Sequence, residues 1–146
     1  MFIDTNILVS ARFQTAPHWS LASAALDALI NGAEALHVSR QILREYLAAV
    51  TRPQTWSDPV SMTDALRDLE RMPRFFQILE DGPGVTRTLA GLLRDVPVAG
   101  RQVHDANIVA TMLTHGEHRL LTLNRKDFSR FGHVLELVPI DEAGAG

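Results

Sequence analysis

The chain has 146 residues, 46% hydrophobic and 21% charged, which suits one domain with a sizeable core and argues against wholesale disorder. It has no cysteine, which removes disulfides, thiol nucleophiles and cysteine-bound zinc and fits a reducing compartment. The net charge of −3 does not mark a nucleic-acid binder, although thirteen of the 14 basic side chains are arginine, which grips phosphate through two nitrogens.

In chain order, "MFID" reads as a short buried strand, and a helical segment runs from Thr5 to about residue 11. "PHWSLASAALDALINGA" carries apolar residues at helical spacing and closes on Asn-Gly. "EALHVS" reads as a brief strand, after which Ser39 is an N-cap for the helix "RQILREYLAAVT", stopped by Pro53. The turn-rich "PQTWSDPVS" leads into a helix over about residues 62–72. "FFQILE" is a strand, "VTRTLAGLLRDV" a helix, and "QVHDANIVATMLTHG" the clearest helix, ending at Gly116. "RLLTLN" and "VLELVPI" are the last two strands, with "RKDFSRF" between them, and about residues 142–146 read as a frayed tail. Asp4 arrives too early for a signal peptide, and Asp27 and Glu34 interrupt the best apolar run, so no membrane span is expected and the chain reads as cytoplasmic. Short apolar strands alternating with amphipathic helices predict a single α/β domain over residues 1–146, with a mostly parallel sheet covered on both faces.

In such sheets ligands bind beyond the carboxyl ends of the strands. Asp4 ends the first strand, Glu45 lies in a helix that follows another, Asp105 opens a helix, and Asn124 ends a strand with Asp127 three residues later. Carboxylates converging there from separate elements, without a histidine–cysteine set, suit Mg²⁺ or Mn²⁺ better than zinc. Two like charges about 4 Å apart repel by roughly 4 kcal/mol at an effective dielectric near 20, so a cluster of three calls for a cation or for protons. Each acid alone has an ordinary explanation as well. Asp4 and Asp127 can cap a helix or turn, Asp105 can complement a helix dipole, and Glu45 can be solvated beside Arg44.

The stretches "FIDTNIL", "SRQILREYLAAVTRP", "VHDANIVATM" and "LLTLNRKDF", in this order and over nearly the whole chain, resemble the PIN-domain family, especially the VapC-type toxin ribonucleases of bacterial toxin–antitoxin pairs. The resemblance implies a three-layer α/β/α sandwich with about five strands. It also implies that Asp4, Glu45 and Asp105 are catalytic metal-binding acids, with Asn6 supporting them by hydrogen bonding. The family often has a fourth acid directly after the "LLT" strand, where this chain has Asn124, with Asp127 nearby; both are carried as supporting residues. The implied activity is Mg²⁺- or Mn²⁺-dependent hydrolysis of RNA phosphodiester bonds. Arg101, Arg119, Arg125, Lys126 and Arg130 are candidate RNA contacts, or else solvated surface. The implied partners are a cognate antitoxin and a second copy of the chain in a homodimer, and Trp19, Leu21 and Trp56 supply either such interfaces or core. The alternative is a catalytically weakened PIN-like module that acts through partner contact.

Overall fold

The computed structural model describes residues 1–144. Its frame is a five-stranded, all-parallel sheet in the order β3-β2-β1-β4-β5. The strands are β1 (Phe2–Ile3), β2 (His37–Ser39), β3 (Gln77–Leu79), β4 (Arg119–Leu121) and β5 (Glu136–Val138). They are shorter than the apolar runs that announced them. Pairing Phe2 with His37 on one side and with Leu120 on the other puts β1 at the centre, where Phe2 and Ile3 are fully buried. A two-residue strand persists because each fully buried large apolar side chain contributes roughly 1.5–3 kcal/mol by leaving water.

Helices α1 (Thr5–Arg12) and α2 (Trp19–Ile30) join β1 to β2, and α3 (Arg40–Val50) and α4 (Met62–Arg71) join β2 to β3. Helices α5 (Pro83–Asp95) and α6 (Gln102–Thr114) return to β4, and the single-turn α7 (Arg125–Phe128) precedes β5. The helices α1 to α4 pack among themselves, as do α5, α6 and α7, so the sheet carries two helical layers. That division follows from right-handed crossovers, because the chain first moves outward through β2 and β3 and then reverses to β4. Strand order therefore switches between β1 and β4, and a crevice opens there at the carboxyl edge of the sheet.

Helix ends follow the local chemistry of the sequence. The Ser39 hydroxyl, fully buried, accepts from the Ile42 N–H at 3.4 Å and caps α3. Helix α6 is stopped at Gly116, whose φ of 73° suits glycine, and the Glu117 N–H returns to the Met112 carbonyl. Among the described residues no helix is long and apolar enough to cross a membrane. Residues 145–146, the end of the expected frayed tail, lie outside the described residues, and Ala143 packs on the core.

Candidate active site

Asp4 is the first residue beyond β1, and its N–H donates to the Leu121 carbonyl on neighbouring β4. It is only 5% exposed, so its charge depends on what surrounds it. Oδ1 accepts from the Thr5 N–H at 2.8 Å, which makes Asp4 the cap of α1. Oδ2 accepts from Asn6 Nδ2 at 2.9 Å and from the Thr122 hydroxyl at 2.6 Å. A carboxylate offers about four lone-pair sites. These three donors leave one on Oδ1. Asn6 also accepts the Leu123 N–H at 3.0 Å, so it locks α1 to the turn after β4.

Glu45 reaches the same place from α3. Its two carboxylate oxygens accept from the Thr5 hydroxyl at 2.8 Å and from Gln41 Nε2 at 2.9 Å. Gln41, one turn earlier on α3, is almost fully buried. Its amide nitrogen also donates to the His104 carbonyl at 3.0 Å, while its oxygen accepts from Asn107 Nδ2 at 2.9 Å. One amide thus spans α3 and α6, fixing Glu45 relative to the turn of α6 that carries Asp105. Asp105 itself is half-buried in the first turn of α6.

Asp4, Glu45 and Asp105 line one open cavity of about 310 Å³, together with Thr5, Asn6 and Asn124. The electrostatics register their approach. Burial pushes the Asp4 carboxyl up to about 6, and the charges of Glu45 and Asp105 push the same way against hydrogen bonds from Thr122 and Thr5. Burial also raises Asp105, as do the charges of Asp127 and Glu45, while Arg130 and His104 oppose the shift. The anionic forms are disfavoured as the chain stands, which is the condition a divalent cation relieves.

The donor set is all oxygen and net negative, so it fits Mg²⁺ or Mn²⁺ in chemical type. It is not a closed cage. Among the described residues, no three acid or imidazole side chains stand close enough together to hold an ion as they are. Glu45 is tied back to Thr5 and Gln41, and like charges without a counter-ion do not collapse onto each other.

The remaining candidates divide. Asn124 lines the cavity, whereas Asp127 is exposed and reaches the site through its charge on Asp105. Arg130 acts on the same acid. Arg101, Arg125 and Lys126 are exposed and do not line the cavity. Arg119 begins β4 at the opposite, amino edge of the sheet, where it pairs with Glu34 and Glu136. Trp19 and Trp56 are partly buried against the core and Leu21 is exposed.

Several residues with a part in this geometry escaped the sequence reading. Thr122 was reachable through its register beside Asp4, and Gln41 through its i,i+4 spacing to Glu45. Arg52, Gln54 and Trp56 line the cavity from the connection between α3 and α4. Arg52 lies just past the end of α3, two residues after Val50.

Comparison with known proteins agrees with this picture. Ribonuclease VapC24 of Mycobacterium tuberculosis is 28% identical over 144 residues, covering 97% of this chain and 98% of the relative. Among solved structures, VapC20 of Mycobacterium tuberculosis, a toxin that cleaves the sarcin–ricin loop, matches with a TM-score of 0.70 at 13% identity, covering 94% of this chain and 98% of its own. FitAcB from Neisseria gonorrhoeae matches at 0.67 and 18% identity, covering 95% and 96%. VapBC2 from Rickettsia felis, bound to a DNA fragment from its promoter, matches at 0.66 and 18% identity, covering 92% and 94%. Identities this low speak to the fold alone. The family model for the PIN domain matches residues 1–134, nearly the whole chain, and the protein therefore belongs to the PIN-domain family.

Proposed function

We propose that the chain is a divalent-metal-dependent endoribonuclease and the toxin of a toxin–antitoxin pair. One observation carries the reading. Three carboxylates from distant parts of the chain, Asp4, Glu45 and Asp105, line a single cavity where the strand order reverses. The relative named as a ribonuclease and the neighbours named as toxins and toxin–antitoxin complexes support the substrate and the setting.

Asp4, Asp105 and Glu45 are the residues that would hold Mg²⁺ or Mn²⁺. A bound ion of this kind supplies Lewis acidity, which activates water for in-line attack at phosphorus and steadies the leaving oxygen. The rest is the work of the chain. Three donors fix Asp4 and leave one lone pair of Oδ1 free. Glu45 keeps a lone pair on each oxygen beyond its bonds to Thr5 and Gln41, and it would accept the proton of the attacking water. Asp105 completes the negative set, with Arg130 and His104 tempering its charge. Asn124 lines the cavity as a neutral amide, so it adds no charge for a second ion and favours a single cation. Asp127, exposed, is a supporting charge beside Asp105.

A cognate antitoxin would occlude this cavity, and a homodimer is the expected assembly. An RNA substrate and a cysteine-free chain fit work in the cytoplasm. The test is cleavage of structured and single-stranded RNA by the purified chain with Mg²⁺, Mn²⁺ or EDTA. Activity is expected with either metal, absent in EDTA, and at least about 100-fold lower in Asp4→Ala and Asp105→Asn. Intact RNA under every metal condition would overturn the enzymatic reading and favour a module that acts through partner contact.

A further inference from the structure

The wall of the cavity that faces the acids comes from the connection between α3 and α4. Its shape is built rather than loose. Gln54 N–H donates to the Ser57 carbonyl at 3.1 Å, closing a tight turn around Thr55 and Trp56. Gln54 Nε2 donates to the Ala49 carbonyl at 3.0 Å, and Val60 N–H to the Val50 carbonyl at 2.8 Å. These bonds clamp both ends of the turn to the last turn of α3. Trp56 is anchored edge-to-face on Phe13, with ring centroids 5.3 Å apart, and lines the cavity.

Arg52 is the one cationic side chain lining this cavity, and among the described residues it forms no ion pair. An arginine that shares a cavity with three acids and pairs with none of them is left for an outside anion. A guanidinium beside an indole offers a nucleotide both of its needs, a fork for phosphate and an aromatic surface for a base. A duplex keeps its bases stacked and withholds them from the indole, so the pair suits an unpaired nucleotide.

Resting on the ribonuclease reading, we infer that Arg52 and Trp56 form a nucleotide subsite beside the acids. It takes one unpaired nucleotide next to the scissile bond, with a phosphate on the Arg52 guanidinium and the base against the Trp56 indole. The subsite makes its contacts in ground state and transition state alike, so it acts on KM rather than kcat.

Steady-state cleavage of a labelled single-stranded oligoribonucleotide in Mn²⁺, on the full chain, tests this. Trp56→Ala and Arg52→Gln are each expected to raise KM by about 10-fold, the effect of losing one base stack or phosphate contact, with kcat within about twofold. Trp56→Phe and Arg52→Lys are expected to recover part of the loss. Unchanged KM in Trp56→Ala and Arg52→Gln overturns the subsite, as does competition by duplex RNA equal to that by single-stranded RNA. Should Trp56→Ala fail to fold once its Phe13 contact is gone, Arg52→Gln, at an exposed position, decides alone. If wild type cleaves no RNA, the ribonuclease reading fails and not the subsite. Anisotropy of the same oligoribonucleotide in Mn²⁺ then decides, with affinity about 10-fold lower in the variants supporting the subsite and equal affinity overturning it.

Discussion

The two edges of the central sheet treat charge in opposite ways. At the amino edge, acids meet bases from within the chain. Glu117 Oε2 lies 2.8 Å from the amino group of Met1 and 2.7 Å from His37 Nδ1, and Oε1 accepts the Arg119 N–H at 2.9 Å. Burial works against the Glu117 charge, yet those hydrogen bonds win and hold its carboxyl below the usual range. At the carboxyl edge Asp4 and Asp105 stand near Glu45, and both are shifted up, first by burial and then by neighbouring acids. Similar residue types give opposite shifts because one edge is neutralised and the other is left short of positive charge. The neutralised edge serves the fold. In the proposed function the uncompensated edge is the place for chemistry, where buried acids with raised pKa values gather.

The contrast breaks most visibly under substitution of an acid. Asp105→Asn should lower metal-dependent RNA cleavage by at least about 100-fold while its melting temperature stays at or above that of wild type, because a half-buried charge is removed. Cleavage assays beside thermal melts check both halves. The next largest effect is on pH dependence. Asp4 titrates near 6 in the folded chain against 3.8 for the ordinary carboxyl, so between those values the folded state keeps a proton that the unfolded chain has released. Stability of the metal-free protein should therefore fall by about 3 kcal/mol as pH rises through that window, and level off above it. Denaturant melts in EDTA at several pH values would show the slope, and Asp4→Asn should flatten it.

Glu117→Gln makes the opposite case. A carboxylate whose pKa is depressed on folding stabilises at neutral pH and loses that contribution as pH falls, so its removal should destabilise by roughly 1–3 kcal/mol near pH 7 and leave cleavage unchanged. Gln41→Ala, which cuts the tie between α3 and α6 without touching a charge, should reduce kcat by about 10-fold through a misplaced Glu45. Smallest of all is Arg119→Ala. It should leave cleavage and KM unchanged, since that side chain is committed to Glu34 and Glu136 at the far edge.

Much of this was legible in the residues. Each short apolar run became a strand, and Ser39 and Gly116 mark helix ends because their local chemistry permits little else. Asp4 is both the helix cap and a cavity residue, so the two readings it invited were never exclusive. What stayed hidden depends on where a strand begins and where a connection folds. Arg119 sits three residues before Thr122, and about 10 Å of extended chain separates the ion-paired edge from the edge that carries Asp4. Asn124 closes no strand, because β4 ends at Leu121 and the chain turns at Thr122 to bond Asp4 and Asn6. Arg52 follows the end of α3 and Trp56 reaches the cavity through the turn at Gln54, and no spacing rule places a loop residue opposite a strand end.

If the carboxyl edge is built for a cation, calorimetric titration of Mn²⁺ into the metal-free protein will show saturable binding in wild type, lost in Asp105→Asn and kept in Glu117→Gln. Wild-type protein that takes up no Mn²⁺, or binding that survives in Asp105→Asn and Asp4→Ala, would contradict it.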